Sequence, residues 1–144
     1  MKVTNAFNKS VYLAGAISYF RDIGRPEKAE SWRKQAQEVL DYYDIKCFNP
    51  CDESHSCWDF PQNGLIKQNY YYLNHCDIIL VNLQMVSDSP GTLWELSMAW
   101  RDHKPVIAFG TTSWLKRPHM NSLIDMKFDT LSEALDYITA MYAI

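Results

Sequence analysis

Residues 77–100, DIILVNLQMVSDSPGTLWELSMAW, carry the clearest structural signal in the chain. Residues 77–83 are apolar at nearly every position, which is typical of a central strand that is buried on both faces of a parallel sheet. Beyond a short polar loop, apolar side chains recur at helical spacing and predict a helix from Gly91 or Thr92 to about Asp102. A strand that leads through a loop into a helix is the repeating unit of α/β proteins.

The same alternation of strands and helices continues on both sides of this segment. Short apolar runs predict further strands at residues 11–17, 45–49, 105–110 and 126–128. Amphipathic or capped segments predict helices at residues 27–43, 64–74, 119–124 and 130–142. A chain of 144 residues suits one domain. We therefore expect a single-domain, three-layer α/β sandwich over residues 1–144, with a parallel five-stranded sheet of flavodoxin-like, Rossmann-like order.

The composition excludes several classes of protein. Apolar residues make up 47% of the chain and the net charge is −3, which argues against disorder and against sequence-independent binding of nucleic acid. No apolar run is long enough to span a membrane, and the N-terminal residues do not resemble a signal peptide, which predicts a cytoplasmic protein. The cysteines form no C-x-x-C pair, so we expect reduced thiols and no metal site at Cys47, Cys51, Cys57 and Cys76.

The predicted sheet brings three segments to one crevice, because the ligands of open parallel sheets bind beyond the carboxyl ends of the strands. These segments are residues 15–21, 84–95 and 110–114. The second segment carries Ser, Asp, Gly and Thr into a helix N-terminus, where free N–H groups and the helix dipole favour a polar or anionic ligand. The loop lacks the lysine of a P-loop, and no G-x-G-x-x-G follows the first strand, so neither common nucleotide-binding motif is present.

Glu95 has two interpretations. The pattern Thr92-x-x-Glu95 fits a capping box, in which the glutamate only accepts a hydrogen bond from a backbone N–H group. Alternatively, the rigid start of the helix holds the Glu95 carboxylate at the mouth of the crevice, where it attacks an electrophilic carbon and forms an ester. The local pattern leaves both interpretations open.

Five segments occur in an ordered series along the chain: VYLAGAI (11–17), CDIILVNL (76–83), SPGTLWELSMAW (89–100), KPVIAFG (104–110) and HMNSLI (119–124). Together they resemble the nucleoside 2-deoxyribosyltransferase family, which includes the related 2-deoxynucleoside 5′-phosphate N-hydrolases. The resemblance implies an enzyme that transfers 2′-deoxyribose between nucleobases through a covalent glutamyl ester. It also implies a homo-oligomer with sites shared between subunits, nucleosides or nucleotides and free nucleobases as partners, and no cofactor.

The resemblance also assigns the catalytic roles. Glu95 matches the nucleophile that attacks C1′, and Tyr12 matches the tyrosine whose hydroxyl group contacts and orients that glutamate. A carboxylate also stabilises the oxocarbenium-like transition state of such a reaction. Asn69 stands where the family has an aspartate that handles the base and its proton, and an amide cannot act as an acid or a base. Asp52 or Asp59, from the long loop that precedes the second predicted helix, is the alternative acid.

Three residues bear on the 5′ end of the substrate. Ser89 matches a serine that contacts the 5′-phosphate in the hydrolases, whereas Asp88 repels a phosphate and accepts well from a 5′-hydroxyl group. Asn121 matches a transferase asparagine that reaches the substrate of a neighbouring subunit. Ser89 and Asn121 also fit ordinary loop and turn chemistry. The predicted binding site is completed by two glycines and by two aromatic residues that stack on the base or anchor their loop: Gly15, Gly91, Trp58 and Phe60.

Three functions are consistent with these residues. The leading hypothesis is deoxyribosyl transfer between nucleobases, as in nucleotide metabolism and salvage, with Glu95 as the nucleophile. The second is hydrolysis of the N-glycosidic bond of a deoxynucleoside 5′-monophosphate by the same glutamate. The third is a non-catalytic nucleotide-binding protein that keeps the pocket and has lost the acid.

Overall fold

Five short strands form one sheet in the computed structural model, which describes residues 9–51 and 62–143. The strands are β1 (Ser10–Ala14), β2 (Lys46–Phe48), β3 (Ile78–Asn82), β4 (Val106–Phe109) and β5 (Met126–Phe128). Their order in the sheet is β2-β1-β3-β4-β5, and each neighbouring pair is parallel. This flavodoxin-like order confirms the predicted α/β fold class.

Helices connect and cover the strands. In the described part of the chain they are α1 (Ser18–Asp22), α2 (Glu27–Tyr42), α3 (Gln62–His75), α4 (Pro90–Arg101), α5 (Pro118–Ser122) and α6 (Leu131–Tyr142). Every predicted helix is present with slightly shifted ends, and α1 is an addition to the prediction. The shift that matters most for the site is that of α4, because this helix begins at Pro90 rather than at Gly91 or Thr92. None of the helices within residues 9–51 and 62–143 is both long enough and apolar enough to cross a membrane.

The sheet has an apolar cluster on each face. Ile78 and Leu80 of β3 pack with side chains of α2 and α6, whereas Ile79 and Val81 pack with side chains of α3 and α4. All five residues of β3 are buried, as the run of four apolar residues predicts, and Asn82 at its end is buried as well. The sheet is therefore the middle layer of the three-layer arrangement that the sequence predicts.

The carboxyl ends of β1 and β3 lie side by side at the centre of the sheet. The connection after β1 leads to α2 on one face, whereas the connection after β3 leads to α4 on the opposite face. Because the two connections diverge, they leave a crevice between them, and this is the usual ligand position in an open α/β sheet.

Lys104 fixes the end of α3, which forms one wall of the crevice. Its Nζ donates hydrogen bonds to the main-chain carbonyl groups of Leu73, Asn74 and Cys76 at 2.8, 2.6 and 2.8 Å. A lysine near a helix C-terminus satisfies carbonyl groups that have no partner within the helix and interacts favourably with the helix dipole. The lysine of the KPVIAFG segment therefore has a structural role.

Lys104→Met should lower the free energy of unfolding by about 2–3 kcal/mol, because hydrogen bonds to a charged group contribute about 1.5–3 kcal/mol and three carbonyl groups lose their donor. Urea unfolding followed by circular dichroism measures the change. Lys116→Met, at an exposed position after β4, is the matched control and should change the free energy by less than about 0.5 kcal/mol. Equal effects of the two substitutions would contradict this role of Lys104.

Candidate active site

A cavity of about 290 Å³ opens where the chain leaves β1 and β3. This volume lies near the lower end of the range of about 300–1,000 Å³ that is typical of small-molecule sites. The wall is formed by residues after β1, by Pro50 after β2, by part of α3 and by the first half of α4. Its polar side chains are Ser18, Tyr19, Asn69, Asp88, Ser89, Thr92 and Glu95.

Most of the predicted site residues that the structure describes come together in this wall. They are Gly15, Asn69, Asp88, Ser89, Gly91 and Glu95. Asn121 lies exposed on α5 and is not part of the wall. Four further predicted residues lie outside the described part of the chain: Asp52, Trp58, Asp59 and Phe60.

The expectation that residues 110–114 reach this crevice is wrong. Gly110 and Thr111 border a separate groove, together with Trp32 of α2 and Leu131 of α6. The physical reason is topological, because β4 lies one strand away from the point where the connections after β1 and β3 diverge. The carboxyl end of β4 therefore opens toward the face that carries α2 and α6.

The start of α4 rules out the capping box. Ser89 is the N-cap residue and Pro90 occupies the first helical position, so Glu95 is the sixth residue of the helix and lies in its second turn. Thr92 is buried, and its hydroxyl oxygen lies 2.6 Å from that of Ser89 in a hydrogen bond. Glu95 is thus too far along the helix to cap its start, and it lines the cavity instead.

Burial changes the acidity of Glu95. Removal from water raises the pKa of the Glu95 carboxyl group to about 7, and the opposing effects of Arg33 and then Tyr12 only partly offset this rise. Glu95 is half-buried, with its exposed part in the cavity wall. A carboxyl group that changes its charge near neutral pH inside a cavity is typical of an active site.

Tyr12 is fully buried in β1 and is not one of the residues that line the cavity. Its ring stacks on Phe48 at a centroid distance of 5.3 Å. Burial, and next the charge of Glu95, raise the pKa of the Tyr12 hydroxyl group well above its ordinary value, so the group keeps its proton. The hydroxyl group is close enough to lower the pKa of Glu95, yet it makes no hydrogen bond of good geometry with the residues that the structure describes. Its proton is therefore available to the Glu95 carboxylate.

Arg33 is the part of the site that sequence reasoning missed. Its guanidinium group is fully buried and donates hydrogen bonds to main-chain carbonyl groups of α2 and of the end of β1. Its positive charge lowers the pKa of Glu95. A signal was available in the spacing, because Arg33 follows Ala29 by four residues and precedes Ala36 by three, which places it on the inward face of α2.

The family model described as "Nucleoside 2-deoxyribosyltransferase like" matches residues 8–112, well over half of the chain. The chain belongs to the nucleoside 2-deoxyribosyltransferase-like family. This confirms the resemblance in the ordered sequence segments and makes the protein a nucleoside 2-deoxyribosyltransferase-like enzyme. No protein of curated function matches the chain in sequence.

Solved structures share the fold of this nucleoside 2-deoxyribosyltransferase-like chain. A 2-deoxyribosyltransferase from Bacillus psychrosaccharolyticus is similar with a TM-score of 0.67 and 18% identity, over 92% of this chain and 95% of that one. A conserved protein from Enterococcus faecalis V583 has a TM-score of 0.66 and 13% identity, over 92% and 98%. The CMP N-glycosidase BcmB from Clostridium botulinum has a TM-score of 0.54 and 17% identity, over 92% and 98%. At sequence identities of 13–18%, the similarity to these structures shows a shared fold.

Proposed function

We propose that this enzyme cleaves the N-glycosidic bond of a 2′-deoxyribonucleoside and transfers the 2-deoxyribosyl group to another nucleobase, with Glu95 as the nucleophile. The observation that carries the proposal is the position of the Glu95 carboxyl group. It lies in the wall of a cavity at the diverging ends of β1 and β3, its pKa is raised to about 7, and a protonated Tyr12 hydroxyl group lies close to it.

The proposed reaction has two displacements at one carbon atom. The Glu95 carboxylate attacks C1′ and forms an ester bond, while the C1′–N bond breaks and the base leaves with the bonding electrons. A second base then attacks C1′ with a ring nitrogen and releases the carboxylate. The proton that this nitrogen loses passes to water, and the departed base takes up a proton from water. Two inversions give net retention, as in retaining glycosidases, and the carboxylate also stabilises the oxocarbenium-like transition states. Tyr12 orients the attacking oxygen and stabilises the ionised form of Glu95.

The charges of the cavity support a substrate with a free 5′-hydroxyl group. Two carboxylates, Asp88 and Glu95, lie in the wall, and within the described residues no lysine or arginine does. The sequence of residues 52–61, DESHSCWDFP, contains three acidic side chains and neither Lys nor Arg. Among the described residues of the wall, a phosphate would meet negative charge without a compensating cation, whereas a hydroxyl group donates well to a carboxylate.

The second candidate function is hydrolysis of a deoxynucleoside 5′-monophosphate, and the N-terminus of α4 supports it. Ser89 is the N-cap residue of this helix, and Ser89, Gly91 and Thr92 all line the cavity. Backbone N–H groups at a helix N-terminus bind phosphate readily. Against this candidate, the Ser89 hydroxyl group is already hydrogen-bonded to Thr92.

One assay separates the candidates. The protein is incubated with 2′-deoxyribonucleosides or with their 5′-monophosphates, each with and without a free acceptor base, and the products are separated by chromatography. Transfer predicts new nucleosides only where a nucleoside and an acceptor base are both present. Free base with sugar phosphate would establish the hydrolase instead. Ligand-dependent stabilisation without turnover on any substrate would establish a non-catalytic nucleotide-binding protein and overturn both.

Tyr12→Phe should move the pH dependence of the reaction. In the native protein kcat/KM should rise with pH through a midpoint near 7, because only the carboxylate form of Glu95 attacks C1′. The hydroxyl group of Tyr12 favours that form, so its removal should raise the midpoint by about one unit and lower the rate below neutral pH about tenfold. Tyr71→Phe, on the exposed side of α3, is the control. The same midpoint in both variants would contradict the role given to Tyr12.

The proposal also covers the oligomeric state of the protein and the cellular location of its reaction. We infer a homo-oligomer in which Asn121, exposed on α5, contributes to the site of a neighbouring subunit. We also place the reaction in nucleotide salvage in the cytoplasm, where free nucleobases are available as acceptors. Size-exclusion chromatography with light scattering tests the first inference, and a monomer at assay concentration would overturn it.

A further inference from the structure

Arg33 is a buried cation whose partners are main-chain carbonyl groups rather than a carboxylate. Its Nη1 donates to the carbonyl oxygen of Ala29 at 2.6 Å, its Nη2 to that of Gly15 at 3.0 Å and its Nε to that of Leu13 at 3.4 Å. Within residues 9–51 and 62–143 it forms no ion pair with an aspartate or a glutamate. Burying a charge without an opposite charge in contact is unfavourable, so the position requires a physical explanation.

The contacts of Arg33 fix the chain between Tyr12 and the cavity. Leu13 follows Tyr12 in β1, and Gly15 lines the cavity. Gly15 has a φ of 154°, and a Cβ atom at this position would lie 3.4 Å from Nη2 of Arg33 and 3.3 Å from the ring of Trp32. The guanidinium group thus packs directly against the backbone turn at the end of β1, the strand that carries Tyr12.

The charge of Arg33 acts on groups from several elements. Burial lowers the pKa of Arg33. The charges of four other groups raise it: those of Cys51 after β2, Tyr12 in β1, Glu95 in α4 and Cys47 in β2. Carboxyl groups ionise at much lower pH than thiol or phenol groups, so Glu95 is the member of this set that carries negative charge first. Arg33 is also the strongest influence that lowers the pKa of Glu95 against the effect of burial.

We propose that Arg33 is a positioning residue of this active site: its guanidinium group holds the end of β1, and its buried positive charge favours the carboxylate form of Glu95. The catalytic consequence rests on the proposed function, because it takes Glu95 as the nucleophile. The electrostatic consequence does not, since a shift in the titration of Glu95 is measurable in a protein that turns over no substrate.

The test follows the titration of Glu95 through stability. The difference in unfolding midpoint temperature between the native protein and Glu95→Gln is measured from pH 5 to 9. In the native protein the carboxylate costs stability, so this difference grows as pH rises and levels off above about 7. When both proteins also carry Arg33→Gln, we expect the difference to level off about one pH unit higher. The midpoint of the pH dependence of kcat/KM should shift by the same amount.

Two further variants separate charge from shape. Lys34→Gln removes a positive charge from the neighbouring exposed position of α2 and should leave both midpoints unchanged. Arg33→Lys keeps the charge but loses the planar fork that reaches three carbonyl groups, so we expect an unchanged midpoint and a kcat about tenfold lower. Should Arg33→Gln not fold, Arg33→Lys carries the test, and a raised midpoint or an unchanged kcat would overturn the proposal.

The outcomes distinguish this inference from the proposed function. If the midpoint stays near pH 7 in Arg33→Gln while the native protein transfers deoxyribose, the inference about Arg33 is overturned and the proposed function stands. If the midpoint shifts but the native protein acts on no nucleoside or nucleotide, the proposed function is overturned and the coupling of Arg33 to Glu95 stands.

Discussion

Glu95→Gln should lower the proposed deoxyribosyl transfer by at least about 10³-fold and leave the fold intact. Gln has nearly the same shape as Glu, so the packing of α4 is preserved, but an amide oxygen is a very weak nucleophile and cannot stabilise positive charge at C1′. Initial rates with a 2′-deoxyribonucleoside and an acceptor base measure the effect, and circular dichroism checks the fold. Glu38→Gln, the same substitution at an exposed position of α2, is the control and should retain full activity.

The same substitution should stabilise the protein at neutral and alkaline pH. The pKa of Glu95 rises from about 4.5 in the unfolded chain to about 7 in the folded protein, so the folded state binds the proton more tightly. The native protein therefore loses stability relative to Glu95→Gln as pH rises from about 4.5 to 7, and the loss stays constant above 7. Since Glu95 is partly exposed in the cavity, the difference is at most about 3 kcal/mol. A native protein as stable as Glu95→Gln at pH 8 would contradict the raised pKa.

Asn69→Asp should raise the rate of the proposed transfer from poor leaving groups by about 10²-fold, because it places a general acid in the cavity. Asn69 is half-buried in the same wall as Glu95, where its amide can hold a base edge but cannot give it a proton. The nearby Glu95 carboxylate raises the pKa of a new carboxyl group at this position, so part of it remains protonated near neutral pH. That protonated form is the one that donates to the departing base.

A pair of substrates sharpens this prediction. 5-Fluoro-2′-deoxyuridine and 2′-deoxyuridine differ by one atom, and fluorine makes the base a better leaving group. The native protein should act much faster on the fluorinated substrate. Asn69→Asp should reduce this ratio of rates, because it should raise the rate with 2′-deoxyuridine. Asn63→Asp, an exposed position on the same helix, is the matched control. An equal preference in the native protein and in Asn69→Asp would show that position 69 takes no part in protonating the base.

The fold was predictable from the sequence because its signals are local. The apolar residues of β3 are buried by α2 and α6 on one face and by α3 and α4 on the other, and such a strand has a nearly continuous apolar sequence. The start of α4 was less certain, because Ser89 and Thr92 are both good N-cap residues. Pro90, which favours the first helical position, selects Ser89 and so removes Glu95 from the capping box.

The rest of the site depends on contacts between elements that are distant in sequence. Its spacing from Ala29 and Ala36 places Arg33 on the inward face of α2, but spacing alone does not show which groups accept hydrogen bonds from a buried arginine. Its burial depends on carbonyl groups that β1 supplies across the fold. Residues 110–114 likewise follow a buried strand, as residues 15–21 and 84–95 do. Only the strand order and the packing show that Gly110 and Thr111 border the groove beside α2 and α6, whereas Trp114 packs on the opposite face of the sheet.

Mapping the covalent intermediate tests whether Glu95 forms an ester with C1′ of a 2-deoxyribosyl group. The protein is incubated with a 2′-deoxy-2′-fluoroarabinonucleoside, whose fluorine slows both displacements by destabilising the oxocarbenium-like transition state, and is then acid-quenched, digested and analysed by tandem mass spectrometry. We expect one fluorinated sugar on the peptide that contains Glu95, attached to that residue, and no adduct in Glu95→Gln. A sugar attached to another residue, or turnover of the analogue with no adduct on Glu95, would contradict the role of Glu95 as the nucleophile.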